Sequence, residues 1–192
     1  MKKSLPKVKI LLEGYASADT GGHSCSTISL VQDENLNIIV DPGTVPDQSM
    51  IIKALKKHGL SPDNINVVYI THSHVDHYRN TGMFKGAKTL NYDGWWISDI
   101  FEDYCDPSEN IKMIETPGHS VDGTTMLVAT DKDKVAICGD VFWKENFPKK
   151  DPFAFNLREL DASRKRVLEI ADYIIPGHGK MFKVKKPLQK KL

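Results

Sequence analysis

Five short apolar runs in this chain each end on, or within three residues of, a histidine or an aspartate. Asp41 follows residues 36–40, and His72 follows residues 67–71. His119 comes after residues 111–116 and the turn Pro117-Gly118, Asp140 after residues 135–138 and Gly139, and His178 after residues 173–175 and Pro176-Gly177. Runs of this length, rich in β-branched and aliphatic residues, read as strands. If the five run broadly the same way, their polar ends meet on one rim of the fold. Glycines beside His119, Asp140 and His178 permit tight turns and close backbone approach there. Histidines scattered through a core would not repeat this order.

The second of these ends is the richest. His72-Ser73-His74-Val75-Asp76-His77 packs four metal-ligand side chains into six residues. In an extended chain alternate side chains share a face, so His72 and His74 can close on one ion. Asp76 and His77 are adjacent, point differently, and can reach a second. Neutral imidazole and carboxylate are ligands that zinc and other borderline divalent metals accept. A polar surface turn is the plain alternative. It has to explain three histidines and an aspartate at this spacing in a chain that holds only 7 histidines.

Further strands are expected at 8–12, 27–31, 88–91 and 125–129, with a hairpin connection over 32–35. A helix over 47–58 carries Met50, Ile51, Ala54 and Leu55 at helical spacing and ends at Gly59. A second, over 157–171, turns Leu160, Val167, Leu168 and Ala171 toward a core. Residues 61–64 read as a cap and a proline-initiated turn. One domain over 1–192 is expected, with 183–192 as a basic tail free to fray.

A net charge of +1 gives no global field that would favour nucleic acid or an anionic membrane. Cys25, Cys105 and Cys138 are odd in number and widely spaced, which fits a reducing compartment better than a disulfide framework. No run approaches the roughly 18 uninterrupted apolar residues of a membrane span. A cytoplasmic location is expected.

The order of motifs resembles the metallo-β-lactamase superfamily. The matching elements are Asp41 in Val40-Asp41-Pro42-Gly43, Thr71 to His77, Thr116-Pro117-Gly118-His119-Ser120, Cys138-Gly139-Asp140-Val141-Phe142 and Pro176-Gly177-His178-Gly179. Within the superfamily, the segments 80–84, 139–142 and 175–179 look most like the metallo-β-lactamase domain-containing protein one type. The resemblance implies a four-layer αββα sandwich of the α/β (α+β) class with a metal cleft along one edge. By its pattern His72, His74 and His119 hold one ion, Asp76, His77 and His178 the second, and Asp140 bridges them. Asp41 is implied as a buried acceptor behind the ligands.

The implied activity is that of a dinuclear hydrolase, with zinc favoured over iron or manganese. A hydroxide bridging the two ions would attack an ester, thioester, lactone or phosphoester, with Asp76 and Asp140 as the catalytic carboxylates. A compact phosphodiesterase or ribonuclease is the alternative. A mononuclear iron persulfide dioxygenase would need only His72, His119 and Asp140, and a non-catalytic metal-binding module is the remaining choice. Arg79 and Asn80 stand where many relatives carry glycines, a change expected to alter access to the second ion.

Other residues weigh less. His23 and Trp143 are candidates for substrate contact, and His58 reads as a helix-end residue. Cys138 is expected to pack beside the site without acting as a nucleophile. Trp95, Trp96, Trp143, Phe147, Phe153 and Phe155 are expected in irregular segments, walling a substrate pocket or a homo-oligomer interface. Lys144, Lys149 and Lys150 interleave with them, a mixture that suits an anionic strand or, more simply, a packed lid.

Overall fold

A computed structural model describes residues 5–185. Seven strands form one sheet in chain order: β1 (Lys7–Leu12), β2 (Ile28–Asp33), β3 (Leu36–Val40), β4 (Val67–Tyr69), β5 (Lys88–Asn91), β6 (Gly94–Ile97) and β7 (Ile100–Glu102). Five form the other: β8 (Ile111–Glu115), β9 (Thr124–Ala129), β10 (Lys134–Ile137), β11 (Tyr173–Ile175) and β12 (Phe182–Lys183). The helices are α1 (Ser17–Thr20), α2 (Ser49–Lys56), α3 (Val75–Tyr78) and α4 (Leu157–Ile170).

Alternation along the strands sorts the apolar side chains into layers. Val31, Ile38, Val40, Tyr69 and Leu90 of the first sheet pack against Ile111, Met126, Val128, Val135 and Ile137 of the second. The opposite face of the first sheet offers Ile28, Leu30, Ile39 and Val68 to Ile51 and Leu55 of α2. The opposite face of the second offers Ala136 and Ile174 to Leu160 and Val167 of α4. The result is the expected αββα sandwich. Each fully buried Leu, Ile or Val contributes roughly 1.5–3 kcal/mol, so the three clusters supply most of the driving force.

Strand direction delivers the five polar ends to one edge. β3 and β4 are parallel, with Val40 beside Tyr69, so Asp41 and His72 leave the same end. β10 and β11 are parallel, with Ile137 beside Ile175, which does the same for Asp140 and His178. β8 and β10 are both antiparallel to β9, so β8 runs with β10 and its exit toward His119 joins them.

Several expectations are corrected. The run at 67–71 stops being a strand at Tyr69, because Thr71, His72 and Ser73 bend toward α3. Trp95 and Trp96 are not in an irregular segment but in β6. Strands β6 and β7 escaped the pattern because little beyond Trp95 is buried there, and β12 because it has only two residues. Lys183 belongs to β12 rather than to a free tail, and the rest of the expected tail, from residue 186 on, lies outside the described residues. Met50 and Leu168 point outward (41% and 38% exposed), one position off the stripes formed by Ile51, Ala54 and Leu55 and by Leu160 and Val167.

Helix α2 is shorter than the expected 47–58, running Ser49–Lys56, and Gly59 closes the turn that follows it. The Gly59 φ of +73° lets Leu60 N–H reach the Leu55 carbonyl at 3.1 Å while the Gly59 N–H reaches the Lys56 carbonyl at 3.0 Å. Among the described residues no helix is long and apolar enough to cross a membrane.

Candidate metal centre

The bend after β4 and the single turn of α3 supply four of the site residues. His74 caps α3 in an extended conformation, and His77 N–H donates to the His74 carbonyl at 2.9 Å. Although the backbone is not a strand here, His72 Nε2 and His74 Nδ1 still lie 3.0 Å apart. His119 enters from the turn after β8, placing its Nε2 3.0 Å from the same His74 nitrogen. Helix α4 holds that turn in place. Asn156 caps α4 and donates its N–H to the Gly118 carbonyl at 2.9 Å, and Ser163 Oγ donates to the Pro117 carbonyl at 2.7 Å.

Asp140 sits between two groups of imidazoles. His119 Nε2 is 3.3 Å from its Oδ2, His178 Nε2 is 3.2 Å from its Oδ1, and His77 Nε2 is 3.4 Å from Oδ1. Donor atoms of His72, His74, His119 and Asp140 all lie within 4.8 Å of one another, and so do those of Asp76, His77 and His178. All seven residues expected as ligands are therefore gathered in two adjoining groups. Only His74 of the seven is exposed; Asp76 is half-buried and the rest are buried.

The glycine before His178 is required for this approach. A Cβ on Gly177 would lie 1.8 Å from Asp140 Oδ1.

Behind these seven residues stands a set of acceptors. Asp41 Oδ2 faces His77 Nδ1 at 2.8 Å, and the Asp41 carboxylate also accepts the Thr71 N–H and hydroxyl at 2.8 and 2.7 Å. The Cys25 carbonyl takes His178 Nδ1 at 3.0 Å. Asp151 Oδ2 takes His119 Nδ1 at 2.7 Å. Such partners fix the tautomer and aim the other ring nitrogen at an ion. Asp151 is a residue that sequence reasoning missed. It lies in an irregular stretch with no ligand motif around it, 32 residues from its partner.

Electrostatics separate the imidazoles. Burial, reinforced by the His77 charge, pushes His72 well below the ordinary histidine range, which leaves it a neutral donor. Burial, with His119 beside it, also lowers His74. At His77 burial opposes the charge, but the carboxylates of Asp41 and Asp140 override it and raise the group well above the usual value. His178 is raised against burial by Asp140. Asp140 is held well below the carboxylate range because His178 and His77 outweigh its own burial.

The residues fit divalent cations. His77 Nε2 and Asp140 Oδ1 are buried yet make no hydrogen bond, and an ion between them would satisfy both. Nitrogen and carboxylate donors in this number suit zinc or a similar ion.

A cleft of about 420 Å³ opens over these groups, lined by Ala16, Ser17, Ser24, Trp143 and Phe153 besides the metal-type residues. Trp143 is buried, stands between the His119 and His178 rings at 6.3 and 6.1 Å, and stacks on Phe153 at 5.7 Å. Lys144 is engaged with Asp19 at 2.8 Å and lies over the Phe147 ring. His23 is exposed, and its neighbour Ser24 lines the cleft in its place. His58 is exposed beyond α2, and Phe155 is exposed as well. Cys138 is buried, and burial drives its thiol far up, consistent with an inert packing role. The Asn80 amide donates to the Pro42 and Gly43 carbonyls and so braces the turn after β3.

Comparison with known proteins agrees with this geometry. Residues 22–92 match the family model described as the metallo-beta-lactamase superfamily. The chain is 32% identical to metallo-beta-lactamase domain-containing protein 1 of Xenopus laevis over 191 residues, covering 92% of this chain and 81% of that protein. It is 35% identical to a probable metallo-hydrolase of Methanocaldococcus jannaschii, covering 77% of this chain and 74% of the relative. Among solved structures, a dizinc quorum-quenching lactonase superposes with a TM-score of 0.70 at 17% identity, over 98% of this chain and 94% of that one.

Proposed function

The chain belongs to the metallo-β-lactamase superfamily, and from that premise we propose that it is a hydrolase working with two divalent ions, zinc by preference. One observation carries the reading. The Asp140 carboxylate is approached by imidazole nitrogens from both ligand groups, at 3.3 Å from His119 and 3.2 Å from His178. His72, His74 and His119 would hold one ion, Asp76, His77 and His178 the other, with Asp140 shared. A complete second group is more than a mononuclear iron oxygenase needs.

Two ions bound there would supply Lewis acidity and make a water molecule acidic near neutral pH. The chain's own residues do the rest. Asp140 reaches both groups, its Oδ2 lying 3.3 Å from His119 Nε2 and 3.3 Å from His178 Nε2, and can orient a nucleophile between them. Asp41, Asp151 and the Cys25 carbonyl keep His77, His119 and His178 in one tautomer each. Trp143 and Phe153 form an apolar wall that limits water on one side of the reacting centre.

The substrate is proposed to be a neutral carbonyl compound (an ester, thioester or lactone). No lysine or arginine lines the cleft, and the neighbouring Lys144 is tied to Asp19. A phosphodiester's charge would be met by the two ions alone, with no lysine or arginine side chain of this cleft to help hold it. The lactonase that shares the fold is consistent with this choice. The test is metal analysis of freshly purified protein, followed by paired assays on a chromogenic thioester and bis(p-nitrophenyl) phosphate with and without chelator. Two ions per chain and chelator-sensitive thioester cleavage are expected. One iron per chain with oxygen consumption, or turnover of the phosphodiester alone, would refute it.

A further inference from the structure

The segment Ser24-Cys25-Ser26, which leads into β2, touches the second ligand group three times. Ser24 Oγ donates to Asp76 Oδ2 at 2.5 Å, the Cys25 carbonyl faces His178 Nδ1 at 3.0 Å, and Ser26 N–H donates to the Asp76 carbonyl at 3.0 Å. Its side chains make no hydrogen bond to His72, His74 or His119 among the described residues. The segment is itself anchored, since Thr44 Oγ1 donates to the Ser24 carbonyl at 2.6 Å.

We propose that Ser24 is the positioning residue for Asp76 and so governs occupancy of the second ion without touching the first. The inference rests on the two-ion reading above. Asp76 differs from the other carboxylates of the site. Asp140 is buried and hemmed by imidazoles, whereas Asp76 is half-buried on a single-turn helix and lines the open cleft. A side chain so placed has several rotamers open to it, and the Ser24 hydroxyl selects one. With one lone pair of Oδ2 engaged, the carboxylate keeps its remaining lone pairs toward His178, whose Nε2 lies 3.6 Å from the same oxygen.

Ser24 also closes the loop formed by residues 16–24. That loop is pinched at its base by Tyr15 N–H to the Cys25 carbonyl at 2.9 Å and Cys25 N–H to the Tyr15 carbonyl at 3.0 Å. Ala16 and Ser17 of the same loop wall the cleft. A substrate that displaces this wall therefore pulls on the residue that sets Asp76.

The experiment is a titration of the chelator-treated chain with Co²⁺ alone, followed by absorbance and calorimetry, for wild type, S24A, S24T and S24V. Wild type is expected to bind in two steps. S24A should keep the first step and weaken the second roughly tenfold or more, as loss of a ligand's outer partner does. S24T, which retains the hydroxyl, should restore it. S24V matches S24T in shape without the hydroxyl and should behave like S24A, which separates orientation of Asp76 from packing. Two unchanged steps in S24A and S24V, or equal weakening of both steps, would overturn the role of Ser24 and leave the two-ion reading standing. A single step in wild type would overturn both.

Discussion

Asp41 Oδ2 lies 2.8 Å from His77 Nδ1, and both are buried, Asp41 just past the end of β3 and His77 within α3. The carboxylate is not in either ligand group, yet it fixes the ring of a residue that is. Its backbone adopts φ +47°, a costly conformation for a non-glycine residue, held by two hydrogen bonds from Thr71. Asp41→Asn should lower affinity for the second ion by about 10–100-fold, read by metal analysis after dialysis. Asp41→Ala should in addition leave the Thr71 N–H unpaired in the interior and cost about 1–3 kcal/mol, the Thr71 hydroxyl keeping His72 Nδ1 at 3.1 Å, read by urea unfolding of the metal-free chain.

Asp151 stands to His119 as Asp41 does to His77, with Oδ2 2.7 Å from His119 Nδ1, and on the two-ion proposal it would serve the first ion. Asp151→Asn should weaken the first metal-binding step and spare the second, the reverse of the Asp41 variant. Stepwise Co²⁺ titration separates the two patterns. Equal effects on both steps would show that Asp151 supports the fold as a whole rather than His119.

Gly177→Ala places a methyl 1.8 Å from Asp140 Oδ1, with the Gly139 carbonyl carbon close by at 3.1 Å. Asp140 cannot swing away, because imidazoles of His77, His119 and His178 surround it. The variant should lose bound metal and its metal-dependent turnover. Retention of two ions per chain by elemental analysis would contradict the close packing described.

Cysteine chemistry gives a prediction independent of metal. Cys105 is exposed, while Cys25 and Cys138 are buried. Alkylation of the native chain should label Cys105 alone, and unfolding should expose all three, which mass spectrometry reads directly. Burial raises the Cys138 thiol, so the folded chain keeps a proton that the unfolded chain releases near pH 8.5. The folded state then binds more protons than the unfolded one, and stability falls as pH rises above about 8.5. Below that value both states hold the proton and the effect vanishes. Cys138→Ser or Cys138→Ala should flatten the alkaline limb of the stability curve.

Much of the candidate site was legible because metal-ligand residue types are rare and its motifs are local. His72, His74, Asp76 and His77 fall within six residues, and the glycines before His119, Asp140 and His178 announce the turns that carry them. Asp41 was legible through its place at a strand end. Asp151 was not, since nothing in Lys150-Asp151-Pro152 distinguishes an acceptor for His119 from any surface aspartate. The same holds for Ser24, whose partner is 52 residues away. His23 drew attention by residue type, but the loop turns Ser24 inward in its place.

Donor identity, their order along the chain and the strand-then-turn rhythm follow from sequence by itself, because side-chain chemistry and short-range periodicity are local properties. Tertiary structure alone decides which nitrogens come close to Asp140, which rings Asp41 and Asp151 hold, and that the cleft is walled by Trp143 and Phe153 with no lysine or arginine among its lining residues. Those relationships depend on strand direction and on the packing of two sheets, which bring residues dozens of positions apart to within a hydrogen bond's length.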